Sequence, residues 1–275
     1  MIPASIARLR RLTRRQWAVV ALVALLAAPV LIPAARWVWR NVIRPRPALE
    51  RPMLPYGELR VGIDASYPPF GVELNGELFG LDVDLAHAVA GRLGVPLRLV
   101  NMGYDGLYDS LRADQVDALF SALRIDPLRM NDVRYTVSYF DAGQVLVRPP
   151  GSGIDSPPDL EGLTLAVEFG TEGDLEARRW QRRLHELHIA PFEVAAQALE
   201  AVMAGEADAA LVDAISARLW LRENEGLEIA PEYVTHDPYA VAVHINNEQL
   251  WAAINDALAA LSADGTLDAI IARWL

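Results

Sequence analysis

The sequence predicts an α/β fold in two lobes, carried behind one membrane-spanning helix. Three observations predict it. Strand-like and helix-like segments alternate from Leu59 onward, the order that builds largely parallel sheets with helices on both faces. That order restarts at Asp141-Ala142-Gly143 and a strand returns at Pro238. The chain thus leaves a first lobe, builds a second and comes back through two crossovers. Residues 17–35 hold no charge and follow a cluster of arginines.

Those 19 residues span about 28 Å as a helix, close to the thickness of a hydrocarbon core. Arg8, Arg10, Arg11, Arg14 and Arg15 precede them, and Trp17, Trp37 and Trp39 stand where interfacial anchors belong. A cleaved signal peptide has a similar outline, but the run is long for one and no Ala-x-Ala follows it. The segment is therefore read as an uncleaved anchor. The organisation expected is a basic cytoplasmic N-terminus at 1–15, the transmembrane anchor at 16–40 and a Pro- and Arg-rich linker at 41–56. Lobe 1 then takes 57–142 and 239–275, and lobe 2 takes 143–238.

Lobe 1 opens on a strand in which Leu59, Val61 and Ile63 alternate with Arg60 and Gly62, giving one apolar side at period two. The alternation stops at Asp64, and Tyr67-Pro68-Pro69-Phe70 imposes an extended, non-helical turn. Residues 82–93 read as a helix with Leu85, Ala86, Val89 and Leu93 in one stripe, acids in the first turn and Gly94 at its end. A strand at 97–100, a short helix at 107–111 and a strand at 118–123 follow. In lobe 2, strands are expected at 144–148, 164–168 and 209–212. A charged helix runs from Thr171 to about 187, and another covers 196–203. The return strand is 238–245, and two apolar-striped helices close the chain.

Composition narrows the function. There is no cysteine, so no disulfide framework, thiolate chemistry or lipid attachment to a cysteine is available. All 25 basic residues are arginine, and ten lie in the first 51 residues beside a single acid. The remainder holds 15 arginines against 35 acids, a balance opposed to nucleic-acid binding. No HExxH, GxSxG or GxxxxGK motif occurs. His185 and His188 share a helix face, but four arginines crowd that helix, so it reads as a solvated charged face and no metal site or cofactor is expected.

The ordered motifs Asp64, Tyr67-Pro68-Pro69-Phe70, Gly80-Leu81-Asp82-Val83-Asp84-Leu85, Tyr104-Asp105-Gly106-Leu107 and the segment 121–129 resemble the family 3 solute-binding proteins of bacterial ABC importers. The resemblance runs from about Leu59 to the C-terminus. It implies the two-lobed periplasmic-binding-protein-like fold (type II), with an amino-acid ligand in the cleft and an ABC permease as partner. It also turns the domain to the extracytoplasmic side, attached to the cell membrane through its N-terminal helix. It implies that Arg129 clamps a ligand α-carboxylate, for which a guanidinium fork is suited, and that Asp213 receives the α-ammonium; an Asp after a strand also suits a helix N-cap. Asp64, Tyr67, Tyr104 and Ser121 match pocket positions, the tyrosines being equally suited to lobe packing, and Asp64 favours a polar or cationic ligand. Gly170-Thr171 opens a helix whose N–H groups suit the same carboxylate. The chain departs from the pattern where Ala122 and Arg124 replace Gly and a small hydroxyl residue, and where Glu172 replaces a second hydroxyl. Arg124 and Glu172 are placed to pair across the cleft or reshape it.

A transport receptor with no catalytic residues is the expected function. Two alternatives stand beside it. Periplasmic cyclohexadienyl dehydratases share the fold, and Glu172 or Asp174 would then serve as a general acid, which requires desolvation. A sensory domain acting through a separate chain is the other.

Overall fold

Lobe 1 begins with β1 (Leu59–Ile63), whose five residues are all buried. The sequence alternation gives this strand one apolar side, but in the fold both sides are covered and Arg60 is accommodated by Asp117. Its Nε and Nη2 donate to the two Asp117 carboxylate oxygens at 3.0 and 2.7 Å, and Nη1 donates to the Asp114 carbonyl at 2.8 Å. A buried ion pair is tolerated when its remaining hydrogen bonds are filled in this way. The structure, a computed structural model, describes residues 52–275. The anchor expected at 16–40 and most of the linker lie outside the described residues, among which no helix is long and apolar enough to cross a membrane.

A small antiparallel sheet follows, made of β2 (Ser66–Tyr67), β3 (Gly71–Leu74) and β4 (Glu77–Phe79). α1 (Leu81–Leu93) buries Leu81, Leu85, Ala86 and Val89 and ends at Gly94. The φ of Gly94 is 67°, the left-handed position that glycine takes without a Cβ clash. β5 (Leu97–Asn101) lies parallel to β1, α2 (Tyr104–Arg112) crosses back, and β6 (Ala118–Leu119) lies parallel to β1 on its other side. β7 (Val133–Asp141) leads out of the lobe.

Lobe 2 contains β8 (Gln144–Arg148), β9 (Thr164–Glu168), α3 (Glu172–Gln181) and β10 (His188–Phe192). It continues through α4 (Ala195–Met203), β11 (Ala209–Asp213), α5 (Ala214–Glu223) and β12 (Glu228–Tyr233). Its sheet order is β10-β9-β11-β8-β12. β13 (Pro238–His244) then returns to the first sheet, in the order β5-β1-β6-β13-β7, and α6 (Glu248–Ala263) and α7 (Thr266–Trp274) finish the chain.

Period-two alternation sorts the core. In lobe 1, Leu59, Val61, Ala118, Val241 and Val243 pack with Leu85, Val89, Ile254 and Leu258 of α1 and α6. Leu119 and Ala242 turn to the opposite face and pack with Leu107 and Leu111 of α2. Lobe 2 repeats the scheme: Val145, Ala166 and Val212 share a cluster with α4 and α5, while Leu146, Val167 and Leu211 face Ala177 of α3. Each such fully buried Val or Leu contributes about 1.5–3 kcal/mol.

The sheets are only partly parallel. β13 is antiparallel to both β6 and β7, and β8 is antiparallel to both β11 and β12. The helix expected at 107–111 starts three residues earlier, at Tyr104. The helix expected to reach 187 stops at Gln181. The strand expected over 118–123 is regular only at Ala118–Leu119; it is interrupted at Ala122, where φ is 46°, and pairing with β13 resumes at Leu123 and Arg124.

The two crossovers run side by side. Asp141 Oδ1 accepts the backbone N–H groups of Gly143 at 2.9 Å and Asp237 at 2.8 Å, and Oδ2 lies 2.6 Å from His236 Nδ1. Burial works to raise the Asp141 carboxyl, but the Asp237 N–H, the His236 ring and the Gly143 N–H outweigh it and hold it below the usual carboxylate range. Gly143 is required by proximity, since a Cβ there would lie 1.9 Å from the Thr235 carbonyl oxygen.

Candidate functional site

Asp64, Ser121 and Asp213 sit at the C-terminal ends of β1, β6 and β11, where open α/β sheets bind ligands. Asp64 directly follows β1. Its N–H donates to Ser121 Oγ at 3.0 Å, and its Oδ1 accepts from the N–H and hydroxyl of Ser66 at 3.0 and 2.7 Å. The structure therefore joins Asp64 and Ser121, which sequence places on different strands. Tyr67 stacks on Phe70 with ring centroids 5.6 Å apart and stays 45% exposed. Phe70 is buried, edge-on to Phe140 and Tyr239. Tyr67 thus both packs and presents a face. Tyr104, at the start of α2, is also exposed.

The two arginines differ in how they are held. Arg124 Nε lies 2.6 and 2.7 Å from the two Asp237 carboxylate oxygens, and its Nη2 lies 3.4 Å from Glu172 Oε2. Asp237 belongs to the second crossover and Glu172 to α3, so Arg124 links lobe 1, the crossover and lobe 2. The Asp237 hydrogen bond keeps the guanidinium firmly in its charged form against the opposing effect of burial. Arg129 ends a short 3-10 turn, Pro127–Arg129. Its guanidinium lies 4.0 Å from the Tyr108 ring centroid, and Nε makes only a 3.5 Å ion pair with Asp126.

In lobe 2, Asp213 caps α5, with Oδ1 accepting the N–H groups of Ile215 and Ser216 at 3.0 and 2.9 Å. The cap engages one carboxylate oxygen. Thr171 caps α3 and donates its hydroxyl to the Glu168 carbonyl at 2.8 Å. The start of α3 offers fewer open donors than the sequence suggests. The Gly170 N–H is taken by Asp174 Oδ2 at 3.1 Å, and the Asp174 N–H by Thr171 Oγ1 at 3.4 Å.

The two candidate general acids differ in setting. Glu172 is exposed and paired with Arg124. Asp174 is buried, but it holds the Gly170 N–H and forms an ion pair with Arg178 Nε at 2.9 Å that lacks hydrogen-bond alignment. Among the described residues, no cluster of His, Asp and Glu is arranged to hold a metal.

Sequence reasoning missed three acids. Asp237 fixes Arg124, Asp141 ties the crossovers, and Asp82 accepts the Ala122 N–H from beneath the cleft segment at 2.7 Å. Asp82 stands in a recognisable motif, but its apparent role was to favour the first turn of α1. In the sequence Asp141 marks only the restart of the pattern, because its partners His236 and Asp237 lie far along the chain, and Asp237 carries no local signal for the same reason.

The sequence model of bacterial extracellular solute-binding proteins, family 3, matches residues 59–275. ABC transporter arginine-binding protein 1 of Escherichia coli (strain K12) is 29% identical over 223 residues, covering 79% of this chain and 90% of that protein. The L-cystine-binding protein TcyJ of the same organism is 30% identical over 223 residues, covering 79% of this chain and 82% of its own. Among solved structures, the L-cystine solute receptor of Neisseria gonorrhoeae in its unliganded open conformation matches with a TM-score of 0.70 at 26% identity, over 79% of this chain and 92% of that one. The two curated relatives are binding proteins by name, for arginine and for cystine.

Proposed function

The chain belongs to the bacterial extracellular solute-binding proteins of family 3, and from that premise we propose that it captures a cationic amino acid between its lobes and delivers it to an ABC importer. Lobe 1 in this reading is 57–142 with 239–275, lobe 2 is 143–238, and the crossovers act as the hinge. The segment 16–40 holds the domain at the outer face of the membrane.

The observation that carries the reading is the contrast between the two arginines. Arg124 is engaged by two carboxylates, whereas Arg129 has one long ion pair and a ring face. Arg129 is thus the guanidinium available to a ligand α-carboxylate. Asp213, with one oxygen outside its cap, receives the α-ammonium. Asp64 supplies negative charge for a cationic side chain, and Tyr67 and Tyr104 supply exposed ring faces for its aliphatic part. Ser121 follows β6 in lobe 1 and Thr171 follows β9 in lobe 2, and in this reading the Arg124–Glu172 pair bounds the space between them. The arginine-binding relative supports the cationic class.

Calorimetry on the full-length chain with L-arginine, L-lysine, L-cystine, L-glutamate and prephenate tests it. L-arginine or L-lysine is expected to bind best. Stranding one buried charge of a pair costs about 3–5 kcal/mol, so Arg129→Ala and Asp213→Asn should each weaken binding roughly a hundred- to several-thousand-fold. Tighter binding of L-glutamate, or Arg129→Ala within a few-fold of wild type, refutes the assignment. Turnover of prephenate would establish the dehydratase reading instead. Mass spectrometry of membrane-extracted protein tests the anchor, which a mature N-terminus between Ala27 and Pro55 would exclude.

A further inference from the structure

Beneath the cleft segment 121–124 lies a carboxyl group that the proposed ligand contacts leave unused. Asp82, in the first turn of α1, has no exposed surface. Helix capping does not account for it, since the residue before α1 is Gly80 and no side chain caps that end. Asp82 Oδ2 instead reaches across to accept the Ala122 N–H at 2.7 Å. Ala122 has a φ of 46°, in the left-handed region where a Cβ meets the following carbonyl and which residues other than glycine seldom enter.

The residues on either side of this turn are tied to other parts of the site. Ser121 Oγ accepts the Asp64 N–H, and Arg124 Nε binds Asp237. Immediately before the turn, the Phe120 N–H still pairs with the Gly62 carbonyl of β1. The chain thus leaves β1 after Phe120 but stays beside β13, where the Ala240 N–H donates to the Leu123 carbonyl at 2.9 Å and Arg124 bridges Tyr239, with Ala122 in the irregular stretch between the two pairings. The energetic cost of Asp82 is visible as well. Burial pushes its pKa up to about 7, against the Tyr139 hydroxyl and the Ala122 N–H, which both favour the ionised form. Tyr139 on β7 is the titratable group facing it, with Tyr239 of β13 beyond. Neither Asp82 Oδ1 nor the Tyr139 hydroxyl makes a hydrogen bond of full geometry.

We propose that Asp82 is a positioning residue for the ligand cleft: by holding the Ala122 N–H it fixes the left-handed turn that presents Ser121 and Arg124. The inference rests on the cleft being the ligand site, and its test is built in two parts for that reason.

The first part needs no ligand. In the full-length chain solubilised in detergent, the Ala122 amide resonance should follow a titration centred near pH 7 and stand still in Asp82→Asn. An Ala122 amide that stands still while the Asp82 carboxyl carbon resonance titrates, or that shifts with pH alike in wild type and Asp82→Asn, overturns the proposal. The second part uses L-arginine as probe. Asp82→Ala should weaken binding about ten-fold, the scale of an unsupported left-handed alanine. Asp82→Asn keeps an acceptor oxygen and should stay within about two-fold. Asp82→Ala combined with Ala122→Gly should regain most of the loss, because glycine adopts this conformation freely. Folded variants that lose binding without that rescue overturn the proposal. If Asp82→Ala does not fold, the amide titration decides. If wild-type protein does not bind L-arginine, the functional reading falls and the amide titration still decides the role of Asp82.

Discussion

Removing the acidic partners of Arg124 one at a time should separate a strong arm from a weak one. The Asp237 side chain is 19% exposed and both its oxygens lie within 2.7 Å of Arg124 Nε. The Glu172 side chain is 67% exposed and 3.4 Å from Nη2. A hydrogen bond to a charged group contributes about 1.5–3 kcal/mol. Arg124 is itself more than half exposed, so solvent screening discounts the Asp237 arm to about 1–2 kcal/mol. The Glu172 arm joins two exposed groups and is worth about 0–0.5 kcal/mol. Asp237→Asn should therefore lower the melting temperature by about 2–8 °C, at about 2–4 °C per kcal/mol for a domain of this size. Glu172→Gln should lower it by no more than about 2 °C. That small loss should vanish at about 1 M salt, where charges are screened beyond about 3 Å. Thermal melts of the single variants, and of each combined with Arg124→Met, give the two coupling energies. A larger effect at Glu172 than at Asp237, or a Glu172 coupling that survives high salt, refutes this reasoning.

Two glycines should respond with opposite signs. Gly143→Ala places a Cβ 1.9 Å from the Thr235 carbonyl oxygen and should cost about 1–3 kcal/mol or more by overpacking; a melting temperature within about 1 °C of wild type would refute the close approach. Gly91→Ala, inside α1 with nothing within 4 Å, should stabilise by about 0.5–1 kcal/mol, read in the same melts. Asp82, with its pKa raised to about 7, holds a proton in the folded chain that the unfolded chain releases, so its stabilising effect is full below the ordinary carboxylate range and fades as pH rises through 7. Wild type should lose about 2–3 kcal/mol between pH 5 and 8 that Asp82→Asn retains; parallel denaturation profiles would refute it. Asp213→Asn should keep the α5 cap and melt near wild type, whereas Asp213→Ala should lose about 1 kcal/mol more, and equal melting of the two would exclude the cap.

The helices and the first strand were legible because their apolar periods are regular. Leu85, Ala86 and Val89 mark α1, and Leu59, Val61 and Ile63 mark β1. β7 was not legible: its burial does not alternate cleanly, and its partner β13 follows about a hundred residues later. The start of α2 was missed because Tyr104-Asp105-Gly106 offers no apolar stripe and Gly106 reads as a breaker, yet nothing crowds it there. The strand expected over 118–123 is interrupted for a conformational reason. An alanine gives no sign that it will turn left-handed; the contact that holds it comes from Asp82, forty residues away. The same distinction runs through the site. Residue types at strand ends could be read from motif order, but their partners could not. Asp237 finds Arg124 from 113 residues away, and only the fold brings them together.

That difference bears on what the Arg124 and Glu172 departures from the family pattern do. Two neutral hydroxyl positions have become a cation and an anion. The pair adds no net charge to the cleft, so it does not by itself change the sign of ligand the site favours. Its effect lies in occupancy. Arg124 is fixed at its root by Asp237 and touches lobe 2 through Glu172, filling space where a small hydroxyl would leave room. The start of α3 is also internally engaged through Thr171 and Asp174, so less of that helix end is open to a ligand carboxylate. In the function we propose, the carboxylate is then left to Arg129, whose guanidinium makes an exposed 3.5 Å ion pair and lies over a ring face. In the function we propose, charge preference rests on Asp64, Asp213 and Arg129, and shape selection on Arg124 and Glu172. Variants of the first group should change which charge class binds, and variants of the second should change which member of that class binds best.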